Sequence, residues 1–213
     1  MIAIIDYGVG NLYSLASSLK HLNIASVITK DREEIIKADK IILPGVGAFE
    51  DAMMKIRDTG LVDTLMDQVE KGKPLLGICL GMQLLFEESH EYGSHQGLGL
   101  IKGIIASIQE DLQVKNGNRM NLKVPHIGWN RLDVKPGFQE DPIFKYLFGE
   151  EYVYYVHSFY ARECVENTIA SSNYDIEMPG IVRNENVYGM QFHPEKSGRT
   201  GLGLLKAFSE IEA

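Results

Sequence analysis

Four short stretches constrain this chain most: residues 2–5, 25–28, 40–43 and 75–78 are almost wholly apolar. A strand with one face in water alternates polar and apolar residues, whereas a uniformly apolar run belongs to a strand buried on both faces. Helical spacing fills the gaps. Leu12, Leu15, Ala16, Leu19 and Leu22 recur at helical intervals, and similar patterns cover 48–57 and 61–70. Asp31, with Glu34 three residues later, reads as a capping box. Such alternation predicts a parallel sheet with helices on both faces. The second half reads differently. Strand candidates at 101–109, 124–134, 152–161, 168–172, 180–183 and 187–192 are separated by turn signals at Asn116-Gly117-Asn118, Pro136-Gly137 and Asn184-Glu185-Asn186. A short helix is expected at 141–147 and a C-terminal one at 201–212. The expectation is one three-layer α/β domain over 1–213, its sheet mainly parallel with antiparallel additions in the C-terminal half.

Several classes of function are disfavoured. A net charge of −8 argues against a nucleic-acid footprint. No apolar run approaches the roughly 20 residues that span a membrane, and residues 1–6 lack the basic segment of a signal peptide. Two cysteines in 213 residues suit a reducing compartment, so the cytoplasm is expected. No metal-ligand cluster or phosphate-binding loop stands out. Gly8-Val9-Gly10-Asn11 lacks the third glycine of a dinucleotide fingerprint.

The chemistry centres on Gly77-Ile78-Cys79-Leu80-Gly81. A buried strand ends there and helical spacing (Met82, Leu85, Phe86) begins. Cys79 thus sits on a strand-to-helix turn between two glycines, the geometry of a nucleophile elbow, with the positive end of a helix beside the thiol. A cysteine nucleophile needs a base and a group to orient it. His193, in Phe192-His193-Pro194-Glu195, ends an apolar strand, and Glu195 is close enough to meet its imidazole. His126 and His157 also fall at strand ends and remain alternatives. Sites in open α/β sheets form at the carboxyl ends of strands. Cys79, His193 and Glu195 there would make a complete nucleophile, base and orienter. An oxyanion hole would draw on the Leu80 N–H and on the Pro44-Gly45-Val46-Gly47 loop, whose glycines allow the Val46 N–H to turn inward.

Gly77-Ile78-Cys79-Leu80-Gly81-Met82-Gln83, Phe192-His193-Pro194-Glu195 and Pro44-Gly45-Val46-Gly47 together resemble the class-I (triad) glutamine amidotransferase family, over nearly the whole chain. The resemblance implies a flavodoxin-like fold that hydrolyses L-glutamine to glutamate and ammonia without a cofactor or metal. It also implies that Gly47, Gln83, Glu91 and Ser158 contact the substrate. Three further stretches, Asp6-Tyr7-Gly8-Val9-Gly10-Asn11-Leu12, Pro125-His126-Ile127-Gly128-Trp129-Asn130 and Tyr154-Tyr155-Val156-His157-Ser158-Phe159-Tyr160, resemble members serving histidine biosynthesis. Those members pass ammonia to a synthase (cyclase) subunit with a (β/α)8 barrel fold, as a heterodimer. By the same resemblance Trp129, Tyr154 and Lys196 flank the docking face, and all three are expected to be exposed in the free subunit. Alternatives are an amidotransferase subunit for anthranilate, aminodeoxychorismate or pyridoxal phosphate synthesis, a stand-alone cysteine hydrolase, or an idle binding module, the last disfavoured by the intact triad.

Overall fold

The computed structural model describes residues 1–116 and 122–212. The first half runs β1 (Ile2–Ile5), α1 (Leu12–His21), β2 (Ser26–Thr29), α2 (Arg32–Lys37), β3 (Lys40–Gly45), α3 (Phe49–Asp58), α4 (Leu61–Glu70), β4 (Leu75–Cys79) and α5 (Leu80–Gln83). There follow β5 (Phe86–Ser89), β6 (His95–Gln96), β7 (Ile101–Ser107), α6 (Ile108–Asn116), β8 (His126–Val134), β9 (Glu151–His157) and β10 (Phe159–Arg162). The chain closes with β11 (Thr168–Tyr174), β12 (Ile176–Asn184), β13 (Val187–Met190) and α7 (Gly198–Glu210).

Nine strands form one sheet in the order β2-β1-β3-β4-β13-β12-β11-β8-β9. It is parallel from β2 to β13 and antiparallel from β13 to β9. Alternate side chains of each buried strand feed opposite cores. Ala3, Ile5, Ile41 and Leu43 pack with α3 and α4 through Phe49, Met53, Leu61 and Leu65. Ile2, Ile4 and Ile42 pack with α1 and α7 through Leu15, Leu19, Leu204 and Phe208. The carboxyl ends of β1, β3, β4 and β13 therefore share one edge. Parallel β13 brings the residues just after Met190 to the edge where β4 delivers Cys79.

The structure departs from the sequence-based expectations in five places. The helix after Cys79 is one turn long, and Phe86 begins a strand instead of continuing it. That strand belongs to a second sheet, β10-β7-β5-β6, absent from the expectation. The strand expected at 101–109 stops at Ser107, where α6 begins. The run expected at 152–161 is two strands in different sheets, broken at Ser158. Asp31 does cap α2, accepting from the Glu33 and Glu34 amides, but its own N–H goes to Thr29 Oγ1 rather than to Glu34. The turn at Asn116-Gly117-Asn118 runs into residues outside those described.

Both elbow glycines are required by close packing. A Cβ on Gly81 would lie 1.8 Å from the Leu43 carbonyl oxygen, and one on Gly77 2.6 Å from the Gly81 carbonyl oxygen. Gly81→Ala should therefore cost more than about 3 kcal/mol, because backbone atoms cannot yield as side chains do. Gly137→Ala, at φ +91° with open space around it, should cost only about 1 kcal/mol from conformation. Denaturant unfolding of the two variants checks this; equal losses would mean that packing behind the elbow does not demand glycine.

Candidate active site

Cys79 closes β4 with φ 55° and ψ −113°. A non-glycine residue in such a region stores about 1–3 kcal/mol of strain, held here by the glycine packing behind it. The thiol is buried and unpaired with the other cysteine, Cys164. Opposite it, the chain leaving β13 turns through Pro194–Lys196. This turn is stapled in place: the Ser197 hydroxyl donates to the His193 carbonyl (2.6 Å) and accepts from the Tyr154 N–H (3.0 Å). His193 Nδ1 meets Glu195 Oε1 at 2.9 Å, both side chains at most 4% exposed. Asn11 Nδ2 donates to the same carboxylate oxygen at 3.2 Å.

Burial opposes a charge on His193, but the hydrogen bonds and charges of Cys79 and Glu195 outweigh it and raise its pKa to about 10. Burial likewise disfavours the Glu195 carboxylate, yet its His193 partner holds the pKa below the ordinary carboxylate value. His126 and His157 behave oppositely. Burial pulls His126 down to about 4 and His157 to about 3, the nearby imidazoles adding to the latter. Their ring nitrogens meet each other, Asn130 and a backbone carbonyl. Of the three strand-end histidines, among the described residues, His193 is the one that meets a carboxylate and neighbours a sulfur.

Cys79 and His193 open into a cavity of about 570 Å³, also lined by Val46, Gly47, Leu80, Gln83, Glu91 and Ser158. The structure thus brings together every residue expected to touch substrate. Ser158 reaches the wall because the chain switches sheets there. Gln83 Nε2 donates to the Phe159 carbonyl (3.0 Å) and to Gln191 Oε1 (3.1 Å). Glu91 is buried and accepts the Phe49 N–H at 2.6 Å; burial raises its pKa and that bond only partly offsets the effect. In the Pro44-Gly45-Val46-Gly47 loop the two glycines differ. Gly47 takes φ +103° with open space around it. Gly45 is a strand residue in register with Cys79, boxed in by the Tyr7 hydroxyl and the Gly81 nitrogen. Backbone freedom in this loop therefore resides at Gly47.

Two site residues escaped the sequence reading. Asn11 holds the outer side of Glu195, and the Tyr7 hydroxyl donates to the Pro44 carbonyl at 2.8 Å. Burial and the neighbouring Cys79 raise the Tyr7 pKa well above its usual value. Both follow β1, whose carboxyl end the observed strand order places beside that of β3. Among the described residues no group of His, Cys, Asp and Glu is disposed to hold a metal, and no helix is long and apolar enough to cross a membrane.

Next to the cavity, Trp129 and Tyr154 face each other across β8 and β9, ring centroids 6.1 Å apart. Lys196 Nζ sits 5.9 Å from the Tyr154 ring centroid and also lines the cavity. Trp129 is 57% exposed and Lys196 is exposed. Tyr154, expected to be exposed, is half-buried, because Trp129 and Lys196 cover it.

Residues 3–209 match the family model described as glutamine amidotransferase class-I. The chain is 50% identical over 212 residues to the imidazole glycerol phosphate synthase subunit HisH of Oceanobacillus iheyensis, covering 99% of each chain. It is 47% identical over 211 residues to the subunit of the same name from Listeria monocytogenes, covering 99% of this chain and 96% of that one. Among solved structures it resembles a glutamine amidotransferase with a TM-score of 0.71 at 20% identity, over 99% of this chain and 100% of that one. PurLQS from Thermotoga maritima gives 0.69 at 20% identity, over 97% and 96%. These two likenesses bear on the fold.

The charge distribution predicts a pH signature. The raised His193 pKa means that its contribution to stability is full below its unfolded value, near 6.5, and is lost as pH rises toward about 10. The depressed His126 and His157 act with the opposite sign, their contribution being lost as pH falls below about 6.5. Cys79→Ala removes one of the two partners of His193. Its NMR titration midpoint should fall, and stability should decline less between pH 7 and 10 than in the parent. An unmoved midpoint would show that Glu195 alone sets the His193 charge.

Proposed function

The chain belongs to the class-I glutamine amidotransferase family, and from that premise we propose that it is the glutaminase subunit of imidazole glycerol phosphate synthase in histidine biosynthesis. It hydrolyses L-glutamine to glutamate and ammonia and passes the ammonia to a cyclase subunit of (β/α)8 barrel fold in the cytoplasm. The observation that carries the chemistry is a buried cysteine on a strained turn sharing a cavity with a histidine–carboxylate pair.

The Cys79 thiolate attacks the side-chain amide carbon of glutamine. Charge develops on the carbonyl oxygen, where the Leu80 and Val46 N–H groups act as the oxyanion hole, each donor worth about 2.7–4 kcal/mol. His193 gives its proton to the departing nitrogen and ammonia leaves, forming a thioester. His193 then takes a proton from water, which attacks the thioester carbon and releases glutamate and free Cys79. Glu195, held by Asn11, keeps the imidazole oriented and favours its charged form. Gly47, Gln83, Glu91 and Ser158 receive the amino-acid head. The α-ammonium of the substrate compensates Glu91, whose carboxylate is otherwise disfavoured by burial. The Val46 N–H turns inward when the liganded partner binds, pivoting at Gly47, so ammonia is not released wastefully.

Ammonia release from glutamine, with and without the cyclase subunit, tests the reading. Cys79→Ala should abolish glutamine-dependent synthesis by the complex while synthesis from ammonium salts persists; retained glutamine turnover would remove the covalent mechanism. Glu195→Gln should lose less kcat than His193→Ala, and the double variant should lose little more than His193→Ala, since triad members act as a unit.

The partner docks on the Trp129, Tyr154 and Lys196 face, which adjoins the cavity and shortens the path of ammonia. Buried aromatic residues dominate interface energetics. Trp129→Ala should weaken the complex by about 2 kcal/mol or more with the melting temperature of the isolated chain nearly unchanged. Titration calorimetry and thermal denaturation check both halves, and a destabilised chain with parental affinity would place the partner elsewhere.

A further inference from the structure

The cavity wall at Ser158 and Phe159 is held by more than its own strands. Ile108 N–H donates to the Ser158 carbonyl at 3.0 Å. The Phe159 carbonyl accepts twice, from Gln83 Nε2 at 3.0 Å and from His157 Nδ1 at 2.8 Å. His157 closes β9 and His126 opens β8, directly opposite in the register. His126 Nδ1 meets His157 Nε2 at 3.1 Å, and Asn130 Nδ2 meets His126 Nε2 at 3.4 Å. The His126 ring lies between Tyr155 and Tyr174, centroids 4.8 and 4.0 Å away. Both histidines are buried.

Hydrogen-bond logic fixes every proton in this chain. A carbonyl can only accept, so His157 carries its proton on Nδ1. A neutral ring then has a bare Nε2, which must accept from a proton on His126 Nδ1. His126 Nε2 is bare in turn and accepts from the Asn130 amide. The Asn130 orientation is set independently: its nitrogen also donates to the Asn173 carbonyl at 2.9 Å, and its oxygen accepts the Arg131 N–H at 2.8 Å. All three links point one way, from Asn130 through His126 and His157 to Phe159.

We propose that His126 and His157 are positioning residues, whose one-way hydrogen-bond chain locks the Phe159 carbonyl and with it Gln83 and the Ser158–Phe159 wall of the substrate cavity. This rests on reading that cavity as the glutamine site. The chain requires both rings neutral, in keeping with their lowered pKa values. It also requires the Nδ1–H form of both, whereas a free imidazole side chain in water favours Nε2–H. A buried half-satisfied network is worse than none, so breaking one link should loosen the wall rather than merely remove a contact.

Long-range proton–nitrogen NMR at pH 7 on the wild-type chain should find His126 and His157 neutral with the proton on Nδ1. With the cyclase partner present, His157→Phe should raise KM for glutamine about tenfold while kcat changes by less than about threefold. His157→Asn, whose amide nitrogen stands where Nδ1 stands, should recover most of that loss. His126→Phe, which breaks the chain one link earlier, should raise KM in the same direction. An Nε2–H on either ring overturns the proposal. So does a lowered melting temperature with KM unchanged in both Phe variants, the mark of packing alone. Failure of the glutaminase reading shows separately, as no ammonia release by the wild-type chain with its partner. The proton positions are read without substrate, and an Nε2–H overturns the proposal whichever way that assay falls.

Discussion

A cysteine at φ 55° will not stay there unaided. What holds it is the absence of two side chains. With no Cβ at Gly77 or Gly81, the single turn of α5 settles onto the Leu43 carbonyl and the end of β3. The same contact fixes neighbouring elements. Gly45, paired with Cys79, has no room for a side chain, so β3 stays extended up to the loop that faces the thiol. Tyr7 reaches across from the end of β1 to the Pro44 carbonyl. Three strand ends are thus tied to the turn that presents the sulfur, and the strain of one residue is spread over a rigid edge.

Three histidines lie close together on this edge, and their partners decide what each does. His193 faces a sulfur and a carboxylate, either of which favours a proton on the ring. His126 and His157 face each other, an amide and a carbonyl, a set that favours neutral rings. Burial is shared by all three and opposes charge in each. A cationic imidazole beside two neutral ones therefore follows from partner chemistry, not from depth.

The parallel half of the fold was legible because a strand covered on both faces has no choice but to be uniformly apolar, as at Ile2–Ile5 and Leu75–Cys79. The meeting of Cys79 with His193 and Glu195 was legible for a related reason: parallel strands align their carboxyl ends, and β4 and β13 are such a pair. The second sheet was not. Met82, Leu85 and Phe86 fit a helical period, yet Phe86 pairs with Ile101, far along the chain, and a short apolar run does not encode its distant partner. The 152–161 run concealed its break for the same reason. Nothing in Tyr155-Val156-His157-Ser158-Phe159 announces that Ser158 leaves one sheet for another, and that exit is what carries it to the cavity. Asn11 and Tyr7 were obscured differently: their roles depend on which strand neighbours β1, a property of topology and not of local pattern.

Strand β9 is the last of the nine-stranded sheet, and a bare outer strand invites pairing with another copy. Here its rim is occupied. The Tyr154 carbonyl accepts the His193 N–H at 3.0 Å, and the Tyr154 N–H donates to Ser197 Oγ. The turn bearing His193 thus also serves as the guard rail of the sheet. A substitution that loosened the turn would uncover a strand able to recruit its neighbours, so precipitation in the tube would accompany any loss of rate.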